Sequence, residues 1–409
     1  MPAYSGKFHY LDDQENTVSQ GPCQFRFDAE TAIVTPSGAT PIAFDLGDVD
    51  RAVTGEWEFT LTLFTGRRLV LRQFGAAFGR MSEELVAAWR DRTVRCLLLE
   101  DLTEAGRYLG MAGMNGPATA AEIRIYQSNI AVLPLDGAAI QWRLAEVDAI
   151  SFDEATYTVC LERGSDRLAI GKLAKKTDEF RGRLSEALDA LHTHEAEALH
   201  AIFPFLNPDQ LQLLLVAMPE GRSVPLAGLA TIHPQLPEAL MAHAVSPAAH
   251  PYFDALNARA TAGGLMTGYK FICPDEVEDT PGGDDVDKEK EDADTLAQPL
   301  FFWFFFLLPN GRVAWEATTG SGRATYFFDA PAPVDGAIAS LTRGLALVNF
   351  RREPIYLPDE SLERQQKFHR YAIGARKLPD LRTLRASFRG RAIHTNLEAW
   401  TAQVQTAAS

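Results

Sequence analysis

Residues Arg26 to Leu46 lie over Arg124 to Leu144 without a gap, at a constant shift of 98 positions, and this internal duplication constrains the fold more than any other feature of the chain. Identical pairs at that shift are Arg26/Arg124, Val34/Val132, Pro36/Pro134, Ile42/Ile140, Leu46/Leu144, Val49/Val147 and Asp50/Asp148, then Glu56/Glu154, Thr60/Thr158, Leu63/Leu161 and Gly66/Gly164. Apolar swaps run in phase with them. Phe25/Ile123, Phe27/Ile125, Phe44/Trp142, Phe59/Tyr157 and Leu61/Val159 alternate with polar or small neighbours, the period of a half-buried strand. One inserted residue beside Gly66/Gly164 shifts the frame to 99 and aligns Arg68-Leu69 with Arg167-Leu168, as a hairpin tip allows.

The period then changes. Gly79 to Leu85 matches Gly182 to Leu188 at a shift of 103, with apolar residues three or four apart. Met81, Leu85 and Trp89 line one helical face, and Leu184, Leu188 and Leu191 line the other. Each copy is expected to hold six or seven short strands closed by one amphipathic helix, within about 80 residues, a size that can fold alone.

This order of elements resembles the pleckstrin-homology-like superfold, a bent antiparallel half-barrel with a C-terminal helix plugging its open end. The likeness covers roughly 22–98 and 121–203, about two-fifths of the chain, and rests on topology and on phrases such as Ile42-Ala-Phe44-Asp-Leu46-Gly-Asp-Val49 and Ile140-Gln-Trp142-Arg-Leu144-Ala-Glu-Val147. In units of this superfold that bind phosphoinositides, lysines and arginines stand around the loop after the first strand. At the position read as that loop, Asp28-Ala-Glu30-Thr31 and Gln127-Ser-Asn129 offer no such cations, so phosphoinositide binding is disfavoured and protein binding is the implied use.

At 409 residues the chain is expected to hold two to four domains, and its apolar fraction of 46% suits conventional cores. Nothing in Met1 to Lys7 reads as a secretory signal and no stretch is long enough to span a bilayer as a helix, so a cytoplasmic protein is expected. The four cysteines, Cys23, Cys96, Cys160 and Cys273, are far apart and fit neither a zinc knuckle nor a disulfide scaffold; Cys96 and Cys160 read as buried thiols. The fold class is α+β, with tandem half-barrels, a helical bridge, a third β-rich region and a helical tail. Expected boundaries are 1–100 and 121–205 for the barrels with a linker at 101–120, 206–262 for the bridge, 263–350 for the third β-rich domain and 351–409 for the tail.

Asn207-Pro208-Asp209-Gln210 marks a helix start. Helices are expected over 210–218, 235–244 and 252–260, separated by prolines. Between Asp275 and Asp294 eleven acids face two lysines, so a disordered loop is expected over 275–295. Alternating carboxylates from Asp285 do not make a calcium loop, since position six is Lys290 and not glycine. Leu300 to Leu308 reads as a strand buried on both faces rather than a membrane-dipping loop, with hairpin partners around Trp315 and Phe327 and a helix over 334–349. A third, divergent barrel-plus-helix copy over 263–350 is left open.

Residues 343–409 carry twelve basic and six acidic side chains in a chain of net charge −15, leaving −21 for the remainder. Leu381, Leu384 and Phe388 form one helical face beside Arg382, Arg385 and Arg389 on an adjoining one. This basic amphipathic helix either docks on the protein's own surface or binds anionic membrane, nucleic acid or an acidic protein.

No catalytic, cofactor or metal signature emerges. Gly164 to Lys172 has six residues between its glycines where a phosphate loop has four, and it falls in a hairpin. His192, His194 and His200 lack zinc-protease spacing, and Gly320-Ser321-Gly322 reads as a turn rather than a nucleophile elbow. The expectation is a non-catalytic interaction scaffold, set against a basic-tail adaptor and against an enzyme whose site is assembled from residues distant in sequence.

Overall fold

A computed structural model describes residues 3–98, 102–271, 300–317 and 324–407. The acidic stretch 275–295 with the carboxylates from Asp285, Cys273, and the Gly320-Ser321-Gly322 turn lie outside the described residues. By its contacts the chain forms two compact units. One comprises Met1–Ala187 with Asp359–Pro379, the other Leu188–Pro358 with Asp380–Ser409.

In the first unit, strands β1 (Ala3–Leu11), β2 (Thr17–Phe27), β3 (Thr31–Pro36), β4 (Ile42–Asp45), β5 (Val49–Thr54), β6 (Glu58–Leu63) and β7 (Arg68–Arg72) precede helix α1 (Phe78–Cys96). They form an antiparallel sheet of order β4-β3-β2-β1-β7-β6-β5, curled into a half-barrel. Strands β8 (Glu104–Met114), β9 (Thr119–Tyr126), β10 (Asn129–Pro134), β11 (Ile140–Arg143), β12 (Ala149–Asp153), β13 (Thr158–Arg163) and β14 (Asp166–Gly171) precede helix α2 (Thr177–Ile202), and repeat that order as β11-β10-β9-β8-β14-β13-β12. Both sheets are compatible with the pleckstrin-homology-like architecture.

The repeat is longer than the sequence comparison finds. Tyr4 pairs with Phe25 and Tyr108 with Ile123, so Tyr4/Tyr108 and Gly6/Gly110 are equivalent at a shift of 104. Both glycines serve one purpose. A Cβ on Gly6 would lie 2.8 Å from the Phe74 ring, and one on Gly110 would lie 2.6 Å from the Leu173 side chain. The first strands are therefore β1 and β8, and the segments Asp28–Thr31 and Gln127–Asn129 follow the second strand of each copy, not the first. The loops after the first strands, Asp12–Asn16 and Asn115–Ala118, also lack Lys and Arg.

Two alignments are corrected as well. Phe59 pairs with Leu71 and Val159 with Ile170, all buried, so Phe59 corresponds to Val159 at a shift of 100. Tyr157 is 63% exposed in the preceding turn. Copy two is two residues longer before β13 and one shorter at the next hairpin. The helices align at 99 rather than 103: short 3-10 helices at Gly75–Ala77 and Ala174–Lys176 enter them with positive φ at Gly75 and Ala174, and buried Met81, Leu85, Arg92 and Cys96 fall on Phe180, Leu184, Leu191 and Glu195.

The two copies are joined in series. Leu135 in the β10–β11 turn packs against the first core and its carbonyl accepts the Ala52 N–H of edge strand β5 at 3.0 Å. On α1, Asp91 accepts from Arg124 of β9 at 2.6 Å while Arg90 pairs with Glu122 at 3.3 Å.

In the second unit, α3 (Pro208–Ala217) starts with an Asn207/Gln210 capping box. Strand β15 (Val224–Pro225), helices α4 (Leu236–Ala244) and α5 (His250–Asn257), and strands β16 (Leu265–Phe271), β17 (Leu300–Leu307), β18 (Arg312–Ala317) and β19 (Ala324–Asp329) follow. Then come α6 (Val334–Leu347), α7 (Glu353–Tyr356), α8 (Asp359–Arg364), α9 (Gln366–Lys377), α10 (Pro379–Ser387), β20 (Phe388–Ile393) and α11 (Leu397–Ala407), with α8 and α9 belonging to the first unit. The third sheet is a meander, β15-β16-β17-β18-β19-β20, so it does not repeat the strand order of the first two. Strand β17 supplies Phe302, Phe304 and Phe306 to one core and buries Trp303 and Phe305 on the other face.

The expected basic helix ends early. Gly390, at φ 151°, disfavours helix, and Phe388–Ile393 instead pairs with β19, where Phe327 faces Gly390 and Phe328 faces Phe388. Arg389 thus stands on a strand.

Candidate interaction surface

The feature of the first unit that most resembles a binding site is a cleft on the first copy, occupied by α9. Its floor is the short 3-10 helix Leu46–Asp48 between β4 and β5. The Asp45 carboxylate caps this turn by accepting the Gly47 N–H at 2.6 Å, and Arg92 of α1 holds the same carboxylate with two bonds of 2.9 and 2.6 Å. Turn and helix are thereby fixed to each other, leaving a slot over Gly47. A Cβ there would lie 2.8 Å from Cδ1 of Ile373 on α9 and 3.0 Å from Cys96 Sγ, so glycine is what lets α9 approach.

The end of α9 is held by polar bonds. A register shift in the β5–β6 pairing falls between Val49 and Arg51, and the Val49 carbonyl accepts from both Trp89 Nε1 at 3.2 Å and Lys377 Nζ at 2.9 Å. Arg376 donates to Asp48 at 2.7 Å and to Glu363 of α8 at 3.0 Å, and His369 Nε2 lies 3.5 Å from Asp45 Oδ2. The Lys377 ammonium sits 4.8 Å from the Phe64 ring centre. Lys377 is only 8% exposed, and burial lowers its pKa to about 8 despite the nearby acids. Burial likewise pushes the Cys96 thiol up to about 11 and raises Asp48, the latter against the pull of Arg376.

Copy two replaces these anchors. At the 98-residue shift Asp45, Gly47 and Asp48 become Arg143, Ala145 and Glu146. Glu146 accepts from Arg163 at 3.0 Å, and the Arg163 guanidinium stacks 4.5 Å over Trp142. Strand β12 is the edge of its sheet and exposes Ala149, Ile150 and Ser151, whereas Ala52, the counterpart of Ile150, is fully buried under Leu135.

No protein-family model matches the chain, and no curated protein matches it either.

The second unit contains a convergent polar cluster that the sequence does not announce. Thr325 Oγ1 donates to Glu316 Oε2 at 2.6 Å and accepts from Trp400 Nε1 at 3.0 Å, and His394 Nε2 lies 3.1 Å from that hydroxyl and 3.3 Å from Glu316 Oε2. The His394 ring stacks on Tyr252 at 4.1 Å. Burial raises the Glu316 pKa, opposed by the bonds from His394 and Thr325, and its Oε1 has no hydrogen-bond partner. With Glu316 and Thr325 fully enclosed, the arrangement ties α11 and the end of β20 to the sheet. Its members lie on β18, β19, after β20 and on α11, a spacing that carries no motif.

The three arginines picked from the sequence are not brought together. Arg382 is exposed on α10. Arg385 donates to the carbonyls of Pro354 and Leu357, and Arg389 pairs with Asp329 at 2.5 Å. His194 packs on Phe271, ring centres 4.3 Å apart. Among the described residues no group of three or more His, Cys, Asp or Glu side chains could hold a metal ion, and no helix is long and apolar enough to cross a membrane. Cys23, Cys96 and Cys160 are buried free thiols.

Proposed function

We propose that this chain is a non-catalytic, cytoplasmic interaction scaffold built on tandem pleckstrin-homology-like half-barrels. One observation carries the reading: the cleft of the first copy already holds an amphipathic helix drawn from more than 300 residues away in sequence, through Asp48, the Val49 carbonyl and the bare face of Gly47. The series joint supports it further. A buried ion network and the Leu135 contact fix the copies to each other, so surfaces on both keep a constant relation.

The test is capture from a native extract with the full-length chain, followed by a binding constant with the purified partner at low and moderate salt. A stoichiometric protein partner retained at both salts is expected. Turnover of a nucleotide, ester or peptide substrate by the purified chain overturns the reading.

A further inference from the structure

We propose that the tip of the β5–β6 hairpin, where Trp57 lies against Phe78 between Glu56 and Glu58, docks an arginine-bearing segment of a partner protein, an inference that rests on the scaffold reading and gives that partner a chemistry. Exposure marks the place. Of the six tryptophans, five are at most 3% exposed, whereas Trp57 is 64% exposed. The register that equates Phe59 with Val159 also equates Trp57 with Tyr157, which is 63% exposed, so each copy holds a large ring in water two residues before a buried side chain. Neither ring stands alone. Trp57 packs on Phe78, the first residue of α1, with ring centres 6.2 Å apart, and Tyr157 meets Phe152 of β12 edge-on at 6.1 Å. Each pair offers π-electron density to a cation.

The second copy displays the matching group. The guanidinium of Arg181, one turn into α2, lies 4.0 Å over the Phe152 ring. At the helix shift of 99 its counterpart in copy one is Ser82, whose hydroxyl donates to the Phe78 carbonyl at 2.8 Å. Arg80, the cation of that turn, is held by Glu84 at 2.7 Å. Copy one thus has the rings without the cation from its own helix, and a partner's side chain completes the arrangement. Charge agrees with this. Glu56 and Glu58 are exposed on either side of Trp57, with Arg72 across the strands from Glu58, and the chain outside residues 343–409 carries −21. An anionic membrane surface would be repelled by the same acids. Arginine fits better than lysine, because its flat and weakly hydrated head stacks on an indole while its N–H groups remain free to donate to a carboxylate.

The probe is a short blocked peptide of alternating glycine and arginine, titrated into the full-length chain labelled with fluorotryptophan and read by fluorine resonance. Trp57→Phe identifies the Trp57 signal. A saturable shift of that signal alone is expected, and the lysine version of the peptide should bind about threefold or more weakly. The chain carrying both Glu56→Gln and Glu58→Gln should also bind the arginine peptide about threefold or more weakly. Lack of a saturable shift, or equal binding of the arginine and lysine peptides, overturns the proposal.

Vesicles of neutral phosphatidylcholine form the second arm, run on the wild-type chain. No shift of the Trp57 signal is expected from them, and a shift with vesicles in place of one with the peptide assigns the ring to a lipid surface and overturns the proposal. A silent Trp57 while an extract partner is still retained removes this docking surface and leaves the scaffold reading standing.

Discussion

The two copies share strand order, the glycine under the residue before the helix and the left-handed entry into that helix, yet differ at the turn between their fourth and fifth strands. In copy one the turn is acidic and bare, and a distant helix lies on it. In copy two it carries Arg143, Ala145 and Glu146, and Glu146 is bound within its own sheet by Arg163. Positions that fill the half-barrel are held to a size and a polarity by packing. Positions at the rim answer to whatever lies against them, so the two copies differ there without disturbing their cores.

The largest effect that sharpens this comparison is in the cores. Phe59→Ala should cost about 3–5 kcal/mol by chemical denaturation, because Phe59 is fully buried against Leu71. Val159→Ala should also destabilise, as its true counterpart.

Next is pH. Lys377 titrates near 8 in the folded chain against 10.5 when free, so the free state holds more protons between those values and stability should rise with pH across that window. The full span corresponds to about 3 kcal/mol, of which about 1 kcal/mol should appear between pH 8 and 9. Above pH 9 Cys96 acts in the opposite sense, since its free thiol ionises near 9.0 and its folded one near 11. In Lys377→Met the rise between pH 8 and 9 should vanish.

Gly47→Leu should cost about 1–3 kcal/mol and speed exchange of the α9 amides, since a side chain there meets Ile373 and Cys96. The smallest effect is the most pointed. Tyr157→Ala should stay within about 0.5 kcal/mol, given its exposure. A loss as large as that of Phe59→Ala would break the register and restore the pairing read from sequence.

Strands, helices and the duplication were legible because they are periodic, and periodicity also explains the errors. Matching Phe59 to Tyr157 slips the sixth strand by two residues, one full strand period, so apolar positions still coincide with apolar positions. Matching Gly79 to Gly182 slips the helix by four, about one turn, which returns the same face. Such slips are invisible to pattern and obvious to pairing. Strands β1 and β8 were missed because their shift of 104 differs from the rest and only Tyr4/Tyr108 and Gly6/Gly110 signal it. Arg389 was misplaced for a further reason: three-residue spacing suggests a helix until Gly390 offers the chain to the open edge of β19.

The site was less readable. Asp48, Val49 and Lys377 meet across the fold, and one of the three contributes only a backbone carbonyl, which leaves no trace in a residue type. Glu316, Thr325 and His394 are likewise joined only when β18, β19 and β20 become neighbours.

The joint between the copies, in which a turn of the second lies on the edge strand of the first, has no twofold axis. The pair is consequently polar, like two links cut from a filament. One end offers a bare turn at Ser37–Thr40, and the other offers the open strand β12 with Ile150 41% exposed. A joint of this kind could in principle repeat without closing. Two details set the ends apart from the joint: the turn of copy one has Ser37 and Gly38 where copy two has Leu135 and Asp136, so it lacks the apolar tip, and Asp153 and Glu154 place negative charge at the far end of β12.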